Sequence, residues 1–151
     1  MKAISLWQPW ASLWCSDVKI HETRHWLTSH RGLLVVHAAK RKIDDFDGDR
    51  LDDICQGLFG NHWPVDLPRG ALVGVVRLTN CLRTDDFPAS YQDTDDFECG
   101  DFSPGRYAWH RDTFVRFSEP VPYRGQQGIF EIPDHLVPDF TFAPLPQAER
   151  S

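Results

Sequence analysis

Apolar positions fall into short runs along this chain, and each run predicts an element. Ala3 to Trp7 reads as a short strand. Pro9 suits the first turn of a helix, where its missing N–H costs nothing. Trp10, Leu13 and Trp14 follow at i, i+3 and i+4, an apolar helical face that ends near Asp17. Lys19 to Trp26 is polar apart from Ile20 and Thr23 and reads as a strand or extended loop. Gly32 punctuates, and Leu33 to His37 is a β-branched run of the buried-strand kind. From Ile43 to Leu58 the period changes. Ile43, Phe46, Leu51, Ile54 and Leu58 form one helical stripe, with Asp44, Asp45, Asp49, Asp52 and Asp53 on the wet side.

The second half alternates strand and loop. Pro64 to Gly70 is loop, and Ala71 to Leu78 is the longest apolar run and reads as a central strand. Arg83 to Gly105 is acidic and irregular, which predicts a surface loop with at most a short helix. Tyr107 to Phe117 and Gly128 to Ile132 are aromatic-rich strands separated by Pro120 and Pro122. The whole is α+β: a mixed sheet of five to six strands that curls into a barrel, with two or more flanking helices. The expected organisation is one domain over residues 1–137 and a proline-containing surface tail over 138–151.

With 151 residues, one such domain buries a core without staples. The net charge of −6 argues against bulk duplex binding, which needs many Lys and Arg contacts to phosphate. It leaves room for a local basic patch, and one exists in Lys19, His21, Arg24, His25, His30, Arg31, Lys40, Arg41 and Lys42. Six tryptophans are many for this length; some belong to the core, but an aromatic surplus also suits a site that stacks a flat ring. Cys15, Cys55, Cys81 and Cys99 form no CxxC, so zinc-ribbon and thioredoxin readings lack support; reduced thiols in a cytoplasmic protein are expected. The apolar run from Ala3 to Cys15 is broken by Gln8-Pro9, against a signal peptide, and no segment is long enough to span a membrane.

His21-Glu22-Thr23-Arg24-His25 is a literal HExxH. Zinc chemistry needs those histidines at i and i+4 of a helix. Here the segment lacks a 3.6-residue stripe. In a strand, Lys19, His21, Thr23 and His25 face one side while Ile20, Glu22 and Arg24 face the other. Asp45-Phe46-Asp47-Gly48-Asp49 misses the sixth-position Gly and twelfth-position Glu of a calcium loop. No metal or cofactor is expected.

Three segments together carry more information: Ser5-Leu6-Trp7-Gln8-Pro9-Trp10-Ala11, Lys19-x-x-Glu22-Thr23-Arg24, and Gly32 to Lys40. With Tyr107-Ala108-Trp109-His110 and the closing stretch from Phe117 to Pro133, they make the chain resemble the ASCH family of the PUA-like superfamily, from Met1 to about Val137. The resemblance implies a PUA-like barrel with a cleft between the first helix, the following strand and the barrel. It also implies RNA, a nucleotide or a modified nucleoside as partner. The cleft residues it implies are Trp7, Gln8, Lys19, Glu22, Arg24, His37, Lys40 and Tyr107. Trp7 would stack a base, Gln8 would pair with a base edge, and Arg24 and Lys40 would hold phosphate. Structural alternatives stand beside these: an ion pair for Glu22 and Arg24, core packing for Trp7, and a buried hydrogen-bonded ring for His37.

Some small ASCH-like proteins are amidohydrolases of acetylated cytidine, with a Lys, a Thr three residues later and a distant Glu. Lys19 matches that Lys, Glu22 stands in place of the Thr, and the distant acid is Glu98 or a loop aspartate. A hydrolase reading therefore takes Glu22 as general base and Lys19 as stabiliser of negative charge. For RNA cleavage, His37 or His21 would move protons.

Overall fold

The computed structural model describes residues 1–43 and 49–144. Among the described residues six strands form one sheet: β1 (Lys2–Leu6), β2 (His21–Arg24), β3 (Gly32–Ala38), β4 (Ala71–Arg83), β5 (Tyr107–Pro122) and β6 (Ile129–Glu131). The spatial order is β2-β5-β4-β3-β1-β6. Only β1 and β3 run parallel, with Leu6 opposite Ala38; the remaining pairs are antiparallel. The ladder slips once between β3 and β4 and three times between β4 and β5. Each slip adds local twist, so the sheet curls into a barrel-like half-shell whose edge strands β2 and β6 stay unpaired with each other among the described residues. The fold is the expected α+β architecture.

The apolar runs are continuous because the central strands are buried on both faces. Side chains alternate between two clusters. Ile4, Leu34, Val36 and Val76 join helix α1 (Trp10–Trp14) through Ala11, Trp14 and Cys15. Ala3, Val35, Leu72 and Val75 point the other way, onto Phe117 and Phe130. Phe140 and Phe142 of the tail pack partly buried against that second cluster, so the tail is more attached than its prolines predict.

Helix α2 (Arg50–Phe59) and helix α3 (Trp63–Asp66) cover the far side of α1 through Leu51, Cys55, Trp63 and Leu13. The inward stripe of α2 runs through Leu51, Ile54, Cys55 and Phe59, while Leu58 is exposed. Asp44, Asp45, Phe46 and most of the Asp45–Asp49 segment lie outside the described residues. The sharpest correction concerns Arg83 to Gly105. It is an ordered excursion of two 3-10 turns, Thr84–Asp86 and Ala89–Asp93, and helix α4 (Asp95–Glu98), with Cys99 and Asp96 buried. β4 continues to Arg83, and β5 runs through Pro120 to Pro122, beyond the ends the apolar runs predict.

Candidate functional site

β1 and β3 are parallel, so Trp7 and the residues after Ala38 leave the sheet at one rim. The Ala39 N–H donates to the Leu6 carbonyl at 2.8 Å and ties the two exits together. Beside Trp7 opens a cleft of about 610 Å³, walled by Trp7 and Trp10 on the α1 side, Glu22, Thr23 and Arg24 from β2, and Glu98, Asp101 and Arg106 from the excursion. Trp7 is 54% exposed, which leaves ring surface for a ligand. The Arg41 guanidinium lies 3.7 Å from its ring centroid, a cation–π contact that holds the indole in place.

Glu22 is the polar centre of this wall. One carboxylate oxygen lies 3.3 Å from the Lys19 ammonium, and the other lies 3.3 Å from an Arg24 guanidinium nitrogen. Lys19 is 0% exposed and also donates to the Cys99 carbonyl at 2.5 Å. It precedes β2, so the alternation that separated it from Glu22 does not extend to it. Its ammonium sits behind Glu22 and outside the cleft lining; Arg24 and Glu22 are at the surface of the cleft. Thr23 accepts from the Asp101 N–H at 2.8 Å, and Arg106 donates to the Thr23 carbonyl at 3.2 Å. These two bonds pin the excursion across β2.

A second anchor uses Asp96. Its carboxylate accepts from the Ile20 N–H at 2.6 Å, the His21 N–H at 3.0 Å, the His21 ring at 2.7 Å and the Tyr91 hydroxyl at 2.5 Å. Burial alone would raise this carboxyl, but the hydrogen bonds from His21 and Tyr91 outweigh it and hold the pKa at about 2. Burial, and then the bond to Asp96, push the Tyr91 hydroxyl well above its ordinary range, so it stays a donor. The other ring nitrogen of His21 meets His110 Nδ1 at 2.9 Å. Burial, then the nearby charge of His21, lower the His110 pKa.

The first four residues of the HExxH sequence are therefore strand β2, and His21 is committed to Asp96 and His110 while His25, just past the strand, lines the cleft. No group of three or more His, Cys, Asp and Glu among the described residues is arranged to hold a metal ion.

The other expected site residues are divided. Gln8 is 2% exposed. Its amide donates to the Ser12 hydroxyl and the Pro68 carbonyl, each at 2.8 Å, and accepts from the Ser12 N–H at 3.0 Å. It holds the start of α1 rather than lining the cleft, because the orphan donors of that helix lie within its reach. Tyr107 stands opposite Arg24 on β5 and packs partly buried against the core. His37 and Lys40 line a separate cavity of about 820 Å³. His37 donates from Nε2 to the Tyr123 carbonyl at 2.7 Å and accepts at Nδ1 from Ser5 at 2.9 Å. Burial lowers its pKa, which favours the neutral ring with Nε2 as donor and Nδ1 as acceptor. Glu98 and Asp101, the distant acids the sequence left open, both reach the first cleft.

Arg111 and Arg106 carried no motif. Arg111 is buried, donates to the Trp14, Ser16 and Lys19 carbonyls, and shapes the turn that delivers Lys19. The signal that locates it is alternation along β5, where Trp109, Arg111 and Thr113 face inward.

Comparison with known proteins gives concordant results. The model of the ASCH domain matches residues 4–118. Human activating signal cointegrator 1 is 36% identical over 92 residues, covering 60% of this chain and 16% of that protein; the mouse protein is 35% identical over 92 residues with the same coverage. The chain thus spans 16% of the length of these relatives. The crystal structure of ASCH from Zymomonas mobilis aligns over 89% of both chains with a TM-score of 0.50 and 12% identity, a likeness of fold. On the extent of the family match, this chain belongs to the ASCH domain family.

Proposed function

We propose that the chain binds single-stranded RNA or a modified nucleotide by taking one base into the cleft between Trp7 and β2. The observation that carries this reading is the Glu22 carboxylate, fixed between Lys19 and Arg24 in the wall of a cleft that Trp7 also lines. A flat ring stacks on the indole, whose exposed surface and Arg41 contact make it a rigid platform. A carboxylate accepts hydrogen bonds and donates none, so Glu22 selects a base edge that presents N–H groups. The link of the ASCH family to RNA binding supports this reading. The unpaired thiols Cys15, Cys55, Cys81 and Cys99 fit the reducing, cytoplasmic setting it assumes.

The same carboxylate favours a hydrolytic reading second. Glu22 would then act as the base toward water, and Lys19, enclosed behind it, would position and charge-balance the carboxylate without touching substrate.

The test is a binding panel at low salt: short single-stranded RNA and DNA, and plain and N4-acylated cytidine, with mass spectrometry to follow any product. Trp7→Ala and Glu22→Gln are expected to weaken binding of the preferred member by about tenfold each, the loss of one stacked base or one good hydrogen-bonded contact. Wild-type protein that binds nothing in the panel, or variants that bind as tightly as wild type, would overturn the reading.

A further inference from the structure

The cavity that holds His37 and Lys40 differs in charge from the Glu22 cleft. Its cations come from three neighbouring connections. β3, β4 and β5 are antiparallel neighbours, and Ala38, Ala71 and Pro122 are paired at one rim. Lys40 follows β3, Arg69 precedes β4 and Arg124 follows β5, so topology alone brings Lys40, Arg69 and Arg124 together. Backbone bonds hold the rim: the Gly70 N–H donates to the Ala38 carbonyl at 2.7 Å, and the Tyr123 N–H donates to the Gly70 carbonyl at 3.1 Å. The Lys40 stem lies over Gly70, where a Cβ would stand 3.7 Å from Lys40 Cγ.

Among the described residues no Asp or Glu lines this cavity, and none of the three cations is in an ion pair. In a chain of net charge −6, this is a concentration of positive charge that no described acid pairs with. Converging like charges around a concave surface raise the local potential and draw in an anion. Ser5 lines both cavities, and Trp7 and Arg41 stand at the exits beside Lys40. The Glu22 cleft mixes acids with its cations and suits a base edge; the second cavity suits a phosphate.

We infer that Lys40, Arg69 and Arg124 form a phosphodiester site that continues the base cleft, so that the ligand is a strand with at least one phosphate beside the stacked base. This rests on the base-binding reading and narrows it: an oligonucleotide is preferred over a free nucleoside. The Ser5 hydroxyl, held by His37 at 2.9 Å, marks the junction between the two subsites.

The test measures the affinity of a labelled random-sequence pentaribonucleotide for the full chain over about 50 to 200 mM salt, with cytidine and cytidine monophosphate as competitors. The variants are Lys40→Gln/Arg69→Gln/Arg124→Gln, at three exposed positions, and Trp7→Ala. The triple variant is expected to lose at least about tenfold in affinity at the low-salt end, and its log–log salt slope should fall by about 2, the release expected for three lost single-strand contacts. Trp7→Ala should weaken binding with the slope unchanged. A triple variant with wild-type slope, or cytidine competing as well as the pentamer, overturns the phosphate site while the base cleft stands. A wild-type protein that binds no pentamer overturns both.

Discussion

Glu22 Oε1 lies 3.3 Å from the ammonium nitrogen of Lys19, a side chain with no solvent exposure. Removing Lys19 takes the buried counter-charge from Glu22 Oε1 and the donor from the Cys99 carbonyl, which costs about 3 kcal/mol, the low end for a broken buried pair because Arg24 stays beside the carboxylate. Lys19→Met is therefore expected to destabilise the domain by that amount in urea denaturation. Lys19→Met/Glu22→Leu should recover much of the loss, because an apolar pair of similar volume replaces the buried charges. A single variant within about 1 kcal/mol of wild type would show that the pair carries no such charge compensation.

The Asp96 anchor gives stability a pH dependence. Its pKa is held at about 2, below the ordinary 3.8. A depressed carboxylate stabilises the fold fully above its unfolded pKa, and the contribution disappears as pH falls through the folded pKa. The difference amounts to about 2 kcal/mol, lost between about pH 5 and pH 2. Asp96→Asn is expected to be less stable at neutral pH and to lose less over that acid window, read from urea midpoints at matched pH. If wild type and variant fall in parallel from pH 5 to pH 2, Asp96 is not the group responsible.

What the sequence disclosed follows from the range of the interactions. The α1 face of Trp10, Leu13 and Trp14 and the β3 run from Leu34 to Val36 were legible because local periodicity reports burial. Trp7, Glu22 and Arg24, which sit in contiguous motifs, line one cavity. The partners of Asp96 and Arg111 were not legible. Asp96 is buried because Ile20 and His21, 75 or more residues earlier, supply its donors, and Arg111 because the Trp14 and Lys19 carbonyls, 92 or more residues away, accept from it. A run of acids that reads as a wet loop is therefore ordered by one aspartate that tertiary structure alone can satisfy. The partners of Gln8 were hidden for a related reason: its amide bonds at the start of α1 and to the Pro68 carbonyl, 60 residues away.

Gly74 sets how closely α1 approaches the sheet. It lies where the β4–β5 ladder slips, and a Cβ there would stand 2.4 Å from the Val115 carbonyl oxygen and 2.6 Å from Cys15 Sγ. Both distances are below any real Cβ contact, so Gly74→Ala must displace β5 or α1. Overpacking of this kind costs about 1–3 kcal/mol. Because Cys15 follows α1 directly, the displacement also shifts Trp10 relative to β2, and binding in the Glu22 cleft should weaken along with stability. Cys15→Ala removes the sulfur but leaves the Val115 carbonyl in place. Gly74→Ala/Cys15→Ala is therefore expected to recover only part of the loss in a double-mutant cycle. Full recovery would locate the strain at the sulfur alone, and a fully stable Gly74→Ala protein would mean that α1 does not rest on this glycine.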